Sequence, residues 1–150
     1  MESTDYFYFK KLRVYHLAKQ LVTDIYAITE QFPAQEKHGL TNQIQRAAVS
    51  IPSNIAEGVG RFSVKDRVRF VEIAYGSLME VVSQMDIAET LGYVSSEQRS
   101  TLENTANDIA KMIFNLKRAL EKKVEVGEQR VDGSSKTILS PLSTLHSPQN

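Results

Sequence analysis

Between Ser63 and Gly92 the apolar residues recur with the period of a helix. Val64, Val68, Val71, Tyr75, Leu78, Val82 and Met85 are spaced 4, 3, 4, 3, 4 and 3 apart, the seam of a helix whose buried stripe faces other helices. A second line, Phe70, Ala74, Ser77, Val81, Ala88 and Leu91, widens that stripe to a bundle-helix face. Ser63 with Asp66 resembles a capping box with Asp in place of Glu, and Gly92 supplies the stop.

The rest of the chain from residue 12 to residue 126 follows the same rule. Leu102, Ala106, Ile109, Ile113, Leu116 and Leu120 mark a helix that opens on the capping box Ser95–Gln98. Val14, Leu17, Leu21, Ile25, Ile28 and Phe32 mark a first helix closed by Pro33. Leu40, Ile44, Ala47, Ile51 and Ile55 mark a second, ended by Gly58-Val59-Gly60. Short links between long helices favour antiparallel neighbours. The predicted fold is therefore all-α, an antiparallel up-down-up-down four-helix bundle over residues 10–126. An aromatic segment, residues 1–9, precedes it, with Tyr6-Phe7-Tyr8-Phe9 placed to cap one end or to dock on a partner. Residues 127–150, rich in Ser, Thr and Pro, read as a disordered polar tail.

Two residues interrupt the helical pattern. Pro52 removes a backbone hydrogen bond inside the second helix and frees the Ala48 carbonyl, which predicts a kink eased by Ser50, Ser53 or Asn54. Gly76, before Ser77 in the third helix, costs about 1 kcal/mol against Ala and suits close approach of a neighbouring backbone, from the bundle or another subunit. Arg46, Asn54 and Glu57 on the second helix form a candidate polar cluster, either a network that sets helix register or a ligand site.

Composition narrows the chemistry. The 150 residues suit a single domain, 41 % of them hydrophobic and 24 % charged. The absence of cysteine excludes disulfides, thiolate metal sites and Cys nucleophiles. The acidic start Met1-Glu2-Ser3-Thr4-Asp5 lacks the features of a signal peptide, and no apolar run is long enough to span a membrane, so a cytoplasmic protein is expected. His16, His38 and His146 lack the Glu-x-x-His spacing of a di-iron bundle. Gly58-Val59-Gly60 is neither a Walker nor a Rossmann loop. The expectation is a protein without enzymatic activity, metal or cofactor.

Charge changes the picture more. Lys+Arg and Asp+Glu are 18 each, a net charge of zero, which argues against a uniformly cationic coat. Along the chain, however, residues 10–70 carry ten bases against five acids, residues 71–109 one base against seven acids, and residues 110–123 five bases against one acid. In an up-down bundle this gathers Lys10, Lys11, Arg13, Arg61, Lys65, Arg67, Arg69, Lys117, Arg118, Lys122 and Lys123 at one pole. Asp24, Glu30, Glu36, Glu80, Asp86, Glu89, Glu97 and Glu103 fall at the other. Helices of this size span roughly 30–43 Å, far beyond a Debye length of about 8 Å, so the poles do not cancel. The split serves solvation, association of opposite poles, or an anion platform that includes the free amides near Ser63.

The residues also resemble a family. Gly39-Leu40-Thr41-Asn42-Gln43-Ile44-Gln45-Arg46-Ala47-Ala48-Val49-Ser50-Ile51-Pro52-Ser53-Asn54-Ile55-Ala56-Glu57-Gly58, with Gly60-Arg61, is similar to the central signature of the 23S rRNA-intervening sequence proteins. The opening Phe9 to Ala18 and the run Ile73-Ala74-Tyr75-Gly76-Ser77-Leu78-Met79-Glu80 resemble that family too. The resemblance implies a four-helix bundle in which Pro52 and Gly76 belong to the fold, and homo-oligomers, with pentamers among its members. It also implies kinship with the basic accessory variability protein of retroelements, which binds nucleic acid and a reverse transcriptase. The resulting expectation is a homo-oligomer that binds RNA or DNA backbone weakly through the basic pole. The alternative is an assembly module without a nucleic-acid partner. A third reading is an anion sensor at Ser63 and Arg61.

Overall fold

In the computed structural model the backbone is described for residues 5–131 and the side chains for residues 5–122. Four long helices carry the fold: α1 (Arg13–Thr29), α2 (Leu40–Gly60), α3 (Val64–Thr90) and α4 (Ser96–Val131). Single 3-10 turns at Tyr8–Lys11 and Ala34–Glu36 precede α1 and α2, and there is no strand among the described residues. α2 packs on α1 and α3, and α4 packs on α3 and α1, so the four helices close into a ring around one core.

That core is aliphatic. Leu21, Ile25, Ile44, Ile51, Ile55, Leu78, Ile109 and Ile113 are fully buried, and each such side chain contributes roughly 1.5–3 kcal/mol relative to exposure. The apolar positions predicted on α2 and α4 face this core. On α3 the buried line is instead Val71, Ala74, Leu78, Val81, Met85 and Ala88, drawn from both predicted stripes, and Tyr75 and Leu91 lie exposed. Apolar residues occupy most sides of α3, so spacing alone marked two seams, and the flanking α2 and α4 select the arc between them.

Helix ends follow local chemistry. Ser63 Oγ accepts from the Asp66 amide at 3.1 Å. At the start of α4 the capping box is reciprocal: Ser95 Oγ accepts from the Gln98 amide at 3.1 Å, and Gln98 Oε1 from the Ser95 amide at 3.0 Å. Gly92 (φ 77) ends α3, with Tyr93 N–H on the Ala88 carbonyl and Gly92 N–H on that of Glu89, the Schellman pairing that φ > 0 permits. α1 stops at Thr29, one turn before the predicted boundary at Pro33. α4 runs to Val131, past the expected limit at Gly127. The remainder of the predicted tail, residues 132–150, lies outside the described residues.

Side-chain bonds join the ring. Gln45 Nε2 on α2 donates to Thr29 Oγ1 on α1 at 2.9 Å. Ser50 and Ser77 hydroxyls pair between α2 and α3 at 2.8 Å. Lys117 Nζ on α4 lies 2.7 Å from Glu72 on α3. Gln31, just past α1, donates to Gln98 of α4 at 3.1 Å and to the Tyr93 carbonyl at 2.7 Å. Glu36 closes the same end: one carboxylate oxygen accepts from the Leu40 amide at 2.9 Å, the other from Tyr93 Oη at 3.0 Å.

Candidate nucleic-acid interface

The end of α2, the start of α3 and the later turns of α4 meet in space. Gly58, Val59, Arg67, Val71, Leu116 and Leu120 line one shallow apolar recess. A Cβ on Gly58 would stand 3.0 Å from Phe70 Cβ, so α2 and α3 approach closely here and a side chain at 58 would force them apart. The short turn Tyr8–Lys11 packs on α1 and α2. His16 binds the Lys10 carbonyl through Nε2 at 2.5 Å, and Phe9 meets Tyr15 edge-on at 5.0 Å. Lys10 and Lys11 thereby sit on a turn packed against α1 and α2.

The bases of the predicted pole differ in environment. Arg67 is 5 % exposed, and its Nε donates to the Arg61 carbonyl at 2.6 Å. Burial works against its charge and lowers its pKa. Arg67 is therefore corrected from an exposed cation to an internal brace of the α2–α3 link. Its place on the Val71–Ala74 side of α3 turns it inward, which a count of charges does not register. Arg61 pairs with Glu57 and lies over the Phe70 ring at 4.4 Å. Lys117 is held by Glu72 and, at 3.7 Å, by Glu121; the Glu72 hydrogen bond raises its pKa. Lys11 is 3.2 Å from Asp5. Among the described residues, Lys10, Arg13, Lys65, Arg69, Arg118 and Lys122 are exposed and form no ion pair. The side chain of Lys123 lies outside the described residues.

Aromatic rings accompany these cations, a feature that the charge count passed over. Phe62, in the link between α2 and α3, is 97 % exposed. Lys10 Nζ lies 5.0 Å from the Phe7 centroid, and the Arg118 guanidinium 5.9 Å from that of Phe114, both rings being exposed.

The other predicted cluster does not assemble. Asn54 Nδ2 donates to the Ser50 carbonyl at 2.7 Å and the Ser50 hydroxyl at 2.8 Å, Glu57 turns to Arg61, and Arg46 stays exposed. Arg46 and Asn54 are eight residues apart, about 12 Å along the axis, too far for one network. Pro52 is buried within a continuous α2, and the Asn54 amide serves the Ser50 carbonyl, not that of Ala48. No atom outside its own helix backbone comes within 4 Å of a Cβ placed on Gly76. Close approach inside the chain is thus not the reason for this glycine.

At the far end, Arg99 pairs with both Glu89 and Glu103. Hydrogen bonds from Ser96 and then Arg99 hold the Glu89 carboxyl below its ordinary range. Glu89 and Glu103 are thus engaged with Arg99 across and beyond the α3–α4 turn. Among the described residues no group of His, Asp and Glu could hold a metal ion, and no helix is long and apolar enough to cross a membrane.

Comparison with known proteins supports the fold and places the sequence. The profile described as 23S rRNA-intervening sequence protein matches residues 10–115. A protein of unknown function from the S23 ribosomal protein family of Bacteroides thetaiotaomicron has a similar solved structure. Its TM-score is 0.65 at 21 % identity, over 69 % of this chain and 97 % of that one. At that identity the likeness concerns the fold. No curated protein matches the sequence.

Proposed function

The chain belongs to the family of 23S rRNA-intervening sequence proteins, and from that premise we propose that it is a non-enzymatic, self-associating protein that binds RNA or DNA backbone. Binding is weak, lacks sequence preference and uses the end where α2, α3 and α4 meet. One observation carries this reading: Lys65 and Arg69 stand exposed and free of carboxylates on the first turns of α3, behind the Ser63 cap. Cations at a helix N-terminus, where amides point outward, favour phosphate. Lys10, Arg13, Arg118 and Lys122 extend the positive surface around them.

The helices in this reading run up, down, up, down. It is supported by the pairs Ser50–Ser77 and Gly58–Phe70, in which numbers rise on α2 as they fall on α3. Glu72–Lys117 and Glu89–Arg99 relate α3 to α4 in the same way. A cytoplasmic location, without cofactor, fits this role. Self-association, as a pentamer or a smaller ring, is favoured by the exposed aliphatic residues Ile73, Met79 and Ile87 on α3 beside the open Gly76. That same face supports a second reading, an assembly module whose partner is another protein, a reverse transcriptase included.

Titration of a labelled structured RNA at two salt concentrations separates the two. The first reading expects binding that weakens steeply with salt, through counterion release. Absence of binding at low salt removes it and leaves the assembly module.

A further inference from the structure

The surface apolar residues differ in kind between regions. On α3 and the facing part of α2 they are mainly aliphatic, Val49, Ile73, Met79 and Ile87, with Tyr75 the aromatic among them. Around the basic end they are all aromatic: Tyr6, Phe7, Phe62 and Phe114. Phe62 is the extreme case, projecting almost wholly into water from the three-residue link Arg61–Ser63, where a polar side chain would cost nothing. It contributes nothing to the core, so folding of the single chain does not account for it. Arg61 precedes it and Lys65 follows three residues on, and two further exposed rings, Phe7 and Phe114, lie against Lys10 and Arg118.

We infer that the basic end takes unpaired nucleotides, with Phe62 as a platform on which a base stacks while Lys65 and Arg69 hold the adjoining phosphates. The inference rests on the proposal that this end binds nucleic acid and adds the class: single strands over duplexes. Cations alone would serve any polyanion, and a duplex would suffice to meet them. An exposed ring next to such cations suits an accessible base face, and a duplex keeps its base faces stacked on one another. Base–aromatic stacking tolerates any sequence, because every base has a π face. That agrees with an interface lacking a motif for reading base edges. A second copy of the chain could also cover Phe62, and the test distinguishes this.

The chain has no tryptophan, so Phe62→Trp installs a single indole reporter in the full-length protein. Its emission is expected to be quenched by a single-stranded oligouridylate and left unchanged by inorganic polyphosphate. Phe62→Leu, which keeps an apolar side chain without the ring, is expected to weaken oligouridylate binding about tenfold or more. Its affinity for a blunt-ended duplex of equal length should stay within twofold. Binding of oligouridylate without quenching, or equal weakening of both ligands by Phe62→Leu, overturns the stacking role while leaving nucleic-acid binding in place. Loss of assembly mass in Phe62→Leu on sedimentation overturns it in favour of a contact between copies. Failure of the unaltered protein to bind either oligonucleotide at low salt removes the underlying proposal as well.

Discussion

Arg67 Nε donates to the carbonyl oxygen of Arg61 at 2.6 Å, binding the first turns of α3 to the residue that caps α2. The cap carbonyl cannot continue the helical ladder, and a guanidinium reaching back from six residues on satisfies it. The short Arg61–Ser63 link, which carries Phe62, is thereby tied at its start to α3.

Replacing Arg67 by Met keeps the apolar stem and deletes the donor. The expected loss is about 1.5–3 kcal/mol, the range for hydrogen bonds to charged groups. Arg69→Met, on the exposed side of the same turn, should stay within about 0.5 kcal/mol. Urea denaturation of both variants measures the contrast. Equal losses would show that Arg67 is not a brace.

Two glycines of α2 and α3 predict opposite signs. Gly58→Ala forces a Cβ to 3.0 Å from Phe70 Cβ and is expected to destabilise by roughly 1–3 kcal/mol. Gly76→Ala meets open space within the chain and should raise helix stability by about 0.5–1 kcal/mol. If α3 meets another copy at Gly76, the same substitution lowers the assembly mass in sedimentation. A destabilised Gly76→Ala monomer would contradict the open environment.

The exposed cations predict a salt signature. Each of Lys65→Gln and Arg69→Gln should reduce the slope of log affinity for RNA against log salt by about 0.7–0.9, one phosphate contact apiece. Glu72→Gln removes the nearer of the two carboxylate partners of Lys117 and should strengthen binding and steepen the slope. Slopes that remain unchanged in all three would place the nucleic acid elsewhere.

Glu89 predicts an acid limit. Its folded pKa lies below the ordinary value through Ser96 and Arg99, so the unfolded chain binds the proton more readily there. The stability from this group is complete above the unfolded carboxylate pKa and is lost as pH falls through the folded one. Thermal midpoints from pH 6 to pH 3 should fall less steeply in Glu89→Gln than in the unaltered protein. Parallel curves would refute the shift.

Helix number, the buried positions of α2 and α4 and the caps at Ser63, Ser95 and Gly92 were legible in the sequence, because each shows in the spacing of residues a few positions apart along the chain. The division of α3 into a buried and an exposed arc was not, since its apolar residues cover most of its circumference and only the packing of α2 and α4 chooses among them. The basic pole was legible as a list of charges and illegible as a surface.

Local periodicity thus decided that this chain forms four amphipathic helices, for helix formation and one-sided burial follow from spacing along a single strand of chain. The tertiary structure decided which cations are available. Arg67 turns inward to the Arg61 carbonyl, and Glu57 and Glu72 claim Arg61 and Lys117. Lys65 and Arg69 remain open on the first turns of α3, which follows the exposed Phe62. Whether a charge meets solvent, a carboxylate or the core depends on residues brought together from different helices.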